Sequence, residues 1–419
     1  MPTLPASLRG LPRETFVLAL VAFCVALGFG IVAPAIPLFA LEFGVGPTAA
    51  GAVVSAFALM RFVSGLGSGR LVDRVGERSA LVGGIAVVAV SSLMAGLAVS
   101  YPQLLVLRGV GGVGSAVFTI ASTSLLLRVA KASQRGRTQS LYRGGFLVGG
   151  IVGPALGGAV VGVSLRAPFF LYAVTLVAAG VAAATLLPRE VRDADPVPVV
   201  LGPGEDDAVP QAVPEAPPRT TLRQALGRPA YRAALAGNFA VGFSLLGVRS
   251  VVVPLLVVQG LRLEAAWTGA AFLVAAVVQT ALLLPAGRAV DGVGRRSTLV
   301  GGGLLTAVSL AGLARATGPV SLLLGMAVFG AGAAVLGVVP AALVGDAVEG
   351  KGGTAVAVWQ MSSDAGSVLG PLAAGLLIEQ ASFEVALVVS AAVVAACCLL
   401  GLTLPRGAPA EVSRPAPTT

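Results

Sequence analysis

Gly69-Arg70-Leu71-Val72-Asp73-Arg74-Val75-Gly76-Glu77-Arg78-Ser79 returns as Gly287-Arg288-Ala289-Val290-Asp291-Gly292-Val293-Gly294-Arg295-Arg296-Ser297, at an offset of 218 residues. Both copies are short charged stretches set between long apolar runs. The offset persists beyond them, since Val82-Gly83-Gly84 matches Val300-Gly301-Gly302. A second pair follows at an offset of 217, where Gly149-x-x-x-Gly153-Pro154-x-x-Gly157-Gly158 answers to Gly366-x-x-x-Gly370-Pro371-x-x-Ala374-Gly375. Two unrelated motifs sharing nearly one offset mark the chain as a duplicated unit.

The solvent for that unit is a bilayer. Of the 419 residues, 56% are hydrophobic and only 11% charged, with a mean hydropathy of +0.93; an average soluble domain carries about 25% charged residues. No single core in water could hide so much apolar surface. The net charge of +9 comes mostly from arginines in the short stretches between apolar runs, where it orients a membrane protein rather than binding nucleic acid. Histidine is absent, which excludes imidazole chemistry. Cys24, Cys397 and Cys398 all lie inside apolar runs and read as small packing residues, not a disulfide frame or a metal site. Arg9 and Arg13 precede a first apolar run of roughly 25 residues. That exceeds the 7–15 of a signal sequence, so a retained first helix is expected.

Twelve runs reach the roughly 20 residues needed to span a bilayer. They cover 15–41, 48–69, 79–100, 102–128, 138–163 and 167–188, then 232–258, 265–287, 297–315, 318–345, 353–378 and 382–404. Each is about twice the length of a membrane strand and lacks period-two alternation, so all are expected to be helices. The fold class is therefore all-α and integral to the membrane, with six-helix bundles at 1–188 and 230–405. Residues 189–229, rich in proline and acid, are expected to form a flexible linker, and 406–419 a disordered tail. With both termini in the cytoplasm, the inner loops collect Arg70, Arg74, Arg78, Arg128, Lys131, Arg135, Arg137, Arg288, Arg295, Arg296 and Lys351. The outer loops keep only Arg166, Arg262 and Arg315, as the positive-inside rule asks.

The paired stretches Gly69-x-x-x-Asp73-Arg74-x-Gly76-x-Arg78 and Gly287-x-x-x-Asp291-x-x-Gly294-Arg295-Arg296, both on the inner side of a twelve-helix duplication, resemble the signature loop of the major facilitator superfamily. The resemblance covers the chain apart from linker and tails. It implies two pseudo-symmetric bundles around a central cavity, and an inner gate in which Asp73 faces the N-terminal end of helix 11 near Gly353, with Arg128 as a partner. Glu77 departs from the pattern, standing where that family usually has a basic residue. Gly149, Gly153, Pro154, Gly157 and Gly158 in helix 5 look like the motif of the superfamily's drug–proton antiporters. Gly366, Gly370, Pro371 and Gly375 copy it in helix 11. Read from the residues alone, glycines at four-residue spacing let helix backbones touch, and the proline bends the helix.

Charges inside the bilayer point to function, because each is costly there. Asp364 is the one acid deep in a helix, about 15 Å from the inner end of helix 11. Two readings compete: a proton-carrying acid, or a structural ion pair with Arg249 of helix 7 or Arg61 of helix 2. Arg108, followed by Gly109, Gly111 and Gly112, resembles the helix 4 arginine of the superfamily's exporters, which implies a part in proton transfer. Arg61 and Gln279 share the 218 offset; Arg61 belongs either to the cavity or to the inner gate. Phe29, Phe57, Asn238, Phe239, Arg249, Gln279, Trp359 and Gln360 complete the cavity candidates. The expected function is proton-coupled efflux of a small amphiphilic or hydrophobic compound such as a drug or secondary metabolite, by a monomer in the cytoplasmic membrane of a bacterium. The alternative is proton-coupled uptake of a sugar or other metabolite. No metal, cofactor or catalytic group is expected; the proton gradient is the energy source.

Overall fold

A computed structural model describes residues 11–130, 134–188, 221–348 and 353–405. Lys131, Lys351, most of the expected linker and the tail lie outside the described residues. Twelve helices are long and apolar enough to cross a membrane. In the first half they are α1 (Arg13–Leu41, interrupted after Val32), α2 (Pro47–Val75), α3 (Glu77–Gly96), α4 (Tyr101–Val129), α5 (Arg135–Val161) and α6 (Ala167–Leu186). The second half has α7 (Pro229–Gly260), α8 (Ala266–Gly292), α9 (Arg295–Leu313), α10 (Pro319–Ala347, interrupted after Leu336), α11 (Gly353–Gln380) and α12 (Phe383–Thr403). Proline in the first turn starts α2, α4, α6, α7 and α10, where its missing N–H is no loss.

The charged stretches are more helical than expected. α2 runs on to Val75 and α8 to Gly292, and the buried Val72 and Val290 anchor the final turns. The chain reverses at Gly76 (φ 81°) and Gly294 (φ 96°), backbone conformations that suit only glycine. The expected linker also ends early. Thr221 and Gln224 form a reciprocal capping box that starts a short helix, Leu222–Gly227, so residues from 221 onward are ordered.

Helix pairing repeats between the halves. α1 packs on α5 and α6, as α7 does on α11 and α12; α4 packs on α2 and α3, as α10 does on α8 and α9; α3 packs on α6, as α9 does on α12. The glycine motifs repeat too. A Cβ on Gly149 or Gly153 would run into the α1 backbone at Phe23–Leu27 and Gly30; one on Gly366 or Gly370 would meet α7 at Phe239–Phe243 and Gly247. Pro154 lies against Gly30 and Pro371 against Gly247, so the two prolines occupy matching settings. One asymmetry stands out. α7 widens into π-helical turns at Gly242–Val248 and Leu256–Gly260, which α1 lacks.

Candidate functional site

The halves meet chiefly along two seams, α2 on α11 and α5 on α8, which a two-fold rotation would exchange, and α7 also touches α1 and α2. Both are tightest at the end away from the arginine-rich loops. There a Cβ on Gly269 would lie 2.6 Å from the Gly158 nitrogen, and one on Gly375 would lie 2.9 Å from the Thr48 Cα. Gly51 meets the Pro371 carbonyl as Gly269 meets that of Pro154. The last glycines of each motif thus close one half on the other, a role that their spacing alone did not reveal.

Three polar contacts reinforce the α2–α11 seam. The Thr48 N–H donates to Glu379 (3.0 Å), the Ser55 hydroxyl donates to the Val368 carbonyl (2.7 Å), and Arg61 donates to Asp364 (3.1 Å). The last is an ion pair near the middle of both helices, with side chains only 33% and 18% exposed. It decides between the partners open at the sequence level: Asp364 is held by Arg61, not by Arg249. It also separates Arg61 from the charged loop of Asp73. Toward the arginine-rich end the seams part. Gly65, Gly67 and Gly69 meet nothing within 4 Å, and Leu59 and Val63 are open. Close contacts between the halves thin out at that end.

The signature stretches are placed differently from the expectation. Asp73 and Arg74 are exposed, and Asp73 makes no hydrogen bond or ion pair among the described residues. With the halves parted there, it does not reach α11. Arg128 instead holds Glu77 at 2.9 Å, because the first turn of α3 lies beside the last turn of α4. In the second half Arg295 takes both Asp291 (2.9 Å) and Asp346 (3.0 Å). Arg78 donates to the Ala184 carbonyl at the end of α6, and Arg296 to the Leu404 carbonyl beyond α12 (3.2 Å). Each fastens a signature stretch to its own bundle. Arg70, Arg288 and Asp291 are exposed.

The remaining candidates fall into three groups. Phe29, Phe57 and Tyr172 form an aromatic set with ring centroids 6.3 and 6.4 Å apart, and the Arg108 guanidinium lies over Phe57 at 4.6 Å. Arg249 lies over Phe272 and Phe329 at 5.2 and 5.8 Å. Asn238 and Phe239, expected in the cavity, are used otherwise. The Asn238 amide donates to the Trp359 carbonyl (2.7 Å), tying α7 to α11. Phe239 stacks on Phe243 and lines a groove with Leu372 of α11 and Val393 of α12. Trp359 is half-buried with an unbonded indole nitrogen, Gln279 is half-buried, and Gln360 is exposed. Sequence reasoning missed Tyr172, Phe272 and Phe329, since lone aromatics in apolar helices carry no signal of what lies beside them. No cluster of three or more potential metal ligands occurs among the described residues.

Comparison with known proteins agrees with this architecture. The chain is 29% identical over 158 residues to Multidrug resistance protein 2 of Bacillus subtilis (strain 168), and 28% identical over 158 residues to the quinolone resistance protein NorA of Staphylococcus aureus (strain MRSA252). Each match covers 38% of this chain and only 40% or 41% of the relative. Solved structures with the same fold include the human organic anion transporter MFSD10 (TM-score 0.63, 17% identity, 95% of this chain and 100% of that one). Another is a POT family transporter bound to a thioalcohol-conjugated peptide (TM-score 0.75, 12% identity, 94% and 96%). The profile of the Major Facilitator Superfamily matches residues 18–278 and 239–419, almost the whole chain. With twin bundles, paired signature stretches and matching glycine motifs, this chain belongs to the Major Facilitator Superfamily.

Proposed function

We propose that the chain is a proton-coupled exporter of small amphiphilic or hydrophobic compounds, working by alternating access as a monomer in a bacterial cytoplasmic membrane. In this reading the arginine-rich loops and both termini face the cytoplasm. The observation that carries it is the bridge between Arg61 and Asp364, which joins the halves through the one acid placed deep in the described helices. Resemblance to two drug-resistance proteins supports the direction of transport.

The cycle follows from charge. With Asp364 ionised and paired, the far end is closed and the cleft admits cargo from the cytoplasm. Rocking the bundles to open the far end must separate Arg61 from Asp364. That leaves a lone carboxylate in a poorly solvated place, which favours taking up a proton from outside. When the halves return, the approaching guanidinium displaces that proton toward the cytoplasm. One proton enters as cargo leaves.

The test is Asp364→Asn in reconstituted vesicles. Cargo binding is expected to persist while transport driven by an imposed pH gradient falls to background. Retained gradient-driven transport would remove the proton role of this residue.

A further inference from the structure

The interior of the bundle holds hydrogen-bond donors that are paired with no acceptor among the described residues. Arg108, seven residues into α4, is 4% exposed, and among the described residues it forms no hydrogen bond or ion pair; its Nε is buried and orphaned. Arg249 in α7 repeats the pattern, again with a buried unbonded Nε and with the rings of Phe272 and Phe329 against its guanidinium. The indole nitrogen of Trp359 in α11 is orphaned as well. All three groups are donors that cannot accept.

Buried polar groups in folded proteins nearly always find partners, and buried charges are paired. An aromatic face compensates a guanidinium only in part. The missing partner cannot come from the helices described here. Among the described residues, every acid other than Asp364 lies within three residues of a helix end or in a loop, and Asp364 is engaged by Arg61. Arg108 is also the better placed of the two unpaired cations to meet a ligand. Its cage of Phe57, Phe29 and Tyr172 is not sealed, because Phe29 leaves 40% of its surface open. A cation lying over one ring, with another ring exposed beside it, suits an acidic group attached to a flat apolar body.

We propose that the cargo of this chain is an organic anion, an apolar or aromatic body bearing a carboxylate or sulfonate. Arg108 receives the acidic group and the Phe29–Phe57–Tyr172 shelf receives the body. Arg249 provides a second cationic station in the other half. The proposal rests on the exporter reading but names a charge sign that it leaves free.

The experiment uses the full chain in nanodiscs of uncharged lipid, with two probes of one apolar shape and opposite charge: naphthalene-1-sulfonate and 1-naphthylmethylammonium. Calorimetry should show the sulfonate binding at least tenfold more tightly. Arg108→Gln should abolish that preference, Arg108→Lys should keep part of it, and Arg249→Gln should weaken sulfonate binding severalfold. The ratio on the unmutated chain decides the matter even if a variant fails to fold. Equal or tighter binding of the ammonium overturns the proposal, as does failure of the sulfonate to bind. So does displacement of the sulfonate by an equal concentration of chloride, which would mean a small inorganic anion site. Vesicles with an imposed pH gradient separate the two readings. Transport of the ammonium alone would leave the exporter standing and remove the anion. Binding of the sulfonate without gradient-driven transport of either probe would do the reverse.

Discussion

Glu77 holds Arg128 at 2.9 Å at the point where, 218 residues on, Arg295 holds Asp346 at 3.0 Å. The two bridges occupy equivalent places, joining α3 to α4 and α9 to α10, and their charges are exchanged. The unusual acid at position 77 is therefore half of a compensated pair, not a weakening of the signature stretch.

Exchanging the charges of the first bridge should leave it working. Glu77→Arg alone sets two arginines together and is expected to lower the melting temperature and cut transport severalfold. Adding Arg128→Asp should restore both to within about twofold. The energies are small, about 0.5–1 kcal/mol for a bridge this exposed. A double variant no better than the single one would show that the pair contributes nothing.

The Arg61–Asp364 bridge should register as a coupling. In a cycle of Arg61→Gln, Asp364→Asn and the double variant, thermal unfolding in nanodiscs is expected to give about 1–2 kcal/mol of non-additivity. That lies below the range for a fully buried pair, since a third of Arg61 stays exposed. Additive effects would mean the contact does not hold the halves together.

Gly269→Ala should loosen the end that is closed here. Its new methyl would overlap the Gly158 backbone, and overpacking of this kind costs about 1–3 kcal/mol. On a background without Cys24, Cys397 and Cys398, thiol labelling of Ala266→Cys from the far side should quicken about tenfold. Unchanged labelling would place the closure elsewhere.

Gly76→Ala and Gly294→Ala should each destabilise the protein by about 1–3 kcal/mol, because both glycines have positive φ and extended ψ. Gly67→Ala is the control, a helical position with open space around it, and should be neutral or slightly stabilising. Equal melting temperatures for all three would contradict the turn geometry.

Much of the architecture was legible because it is written twice. The 218 offset marked the two halves and the apolar runs the twelve spans, and the helix ends fell within a few residues except where Val72 and Val290 prolong α2 and α8. Contacts between remote helices were harder to read. Spacing placed Asp364 deep in its helix but carries no information on which helices adjoin, so Arg61 and Arg249 stayed rivals for it. For the same reason Arg128 was assigned to Asp73 when its neighbour is Glu77. Asn238 looked free for a ligand because a sequence does not show which backbone carbonyl an amide will find.

The widened turns of α7 record how the two halves drifted apart. Gly149 and Gly153 abut Phe23 and Leu27, while Gly366 and Gly370 abut Phe239 and Phe243, an offset of 216 between the touched residues. Within the Gly242–Val248 stretch the offset changes, and the next mates are Gly30 and Gly247, 217 residues apart. Over this stretch the second half holds one more residue than the first, and the π turn accommodates it. An extra residue turns everything beyond it by about 100° around the helix axis. A helical wheel drawn through α7 from end to end therefore misplaces Arg249, and the wheel has to be restarted at the bulge.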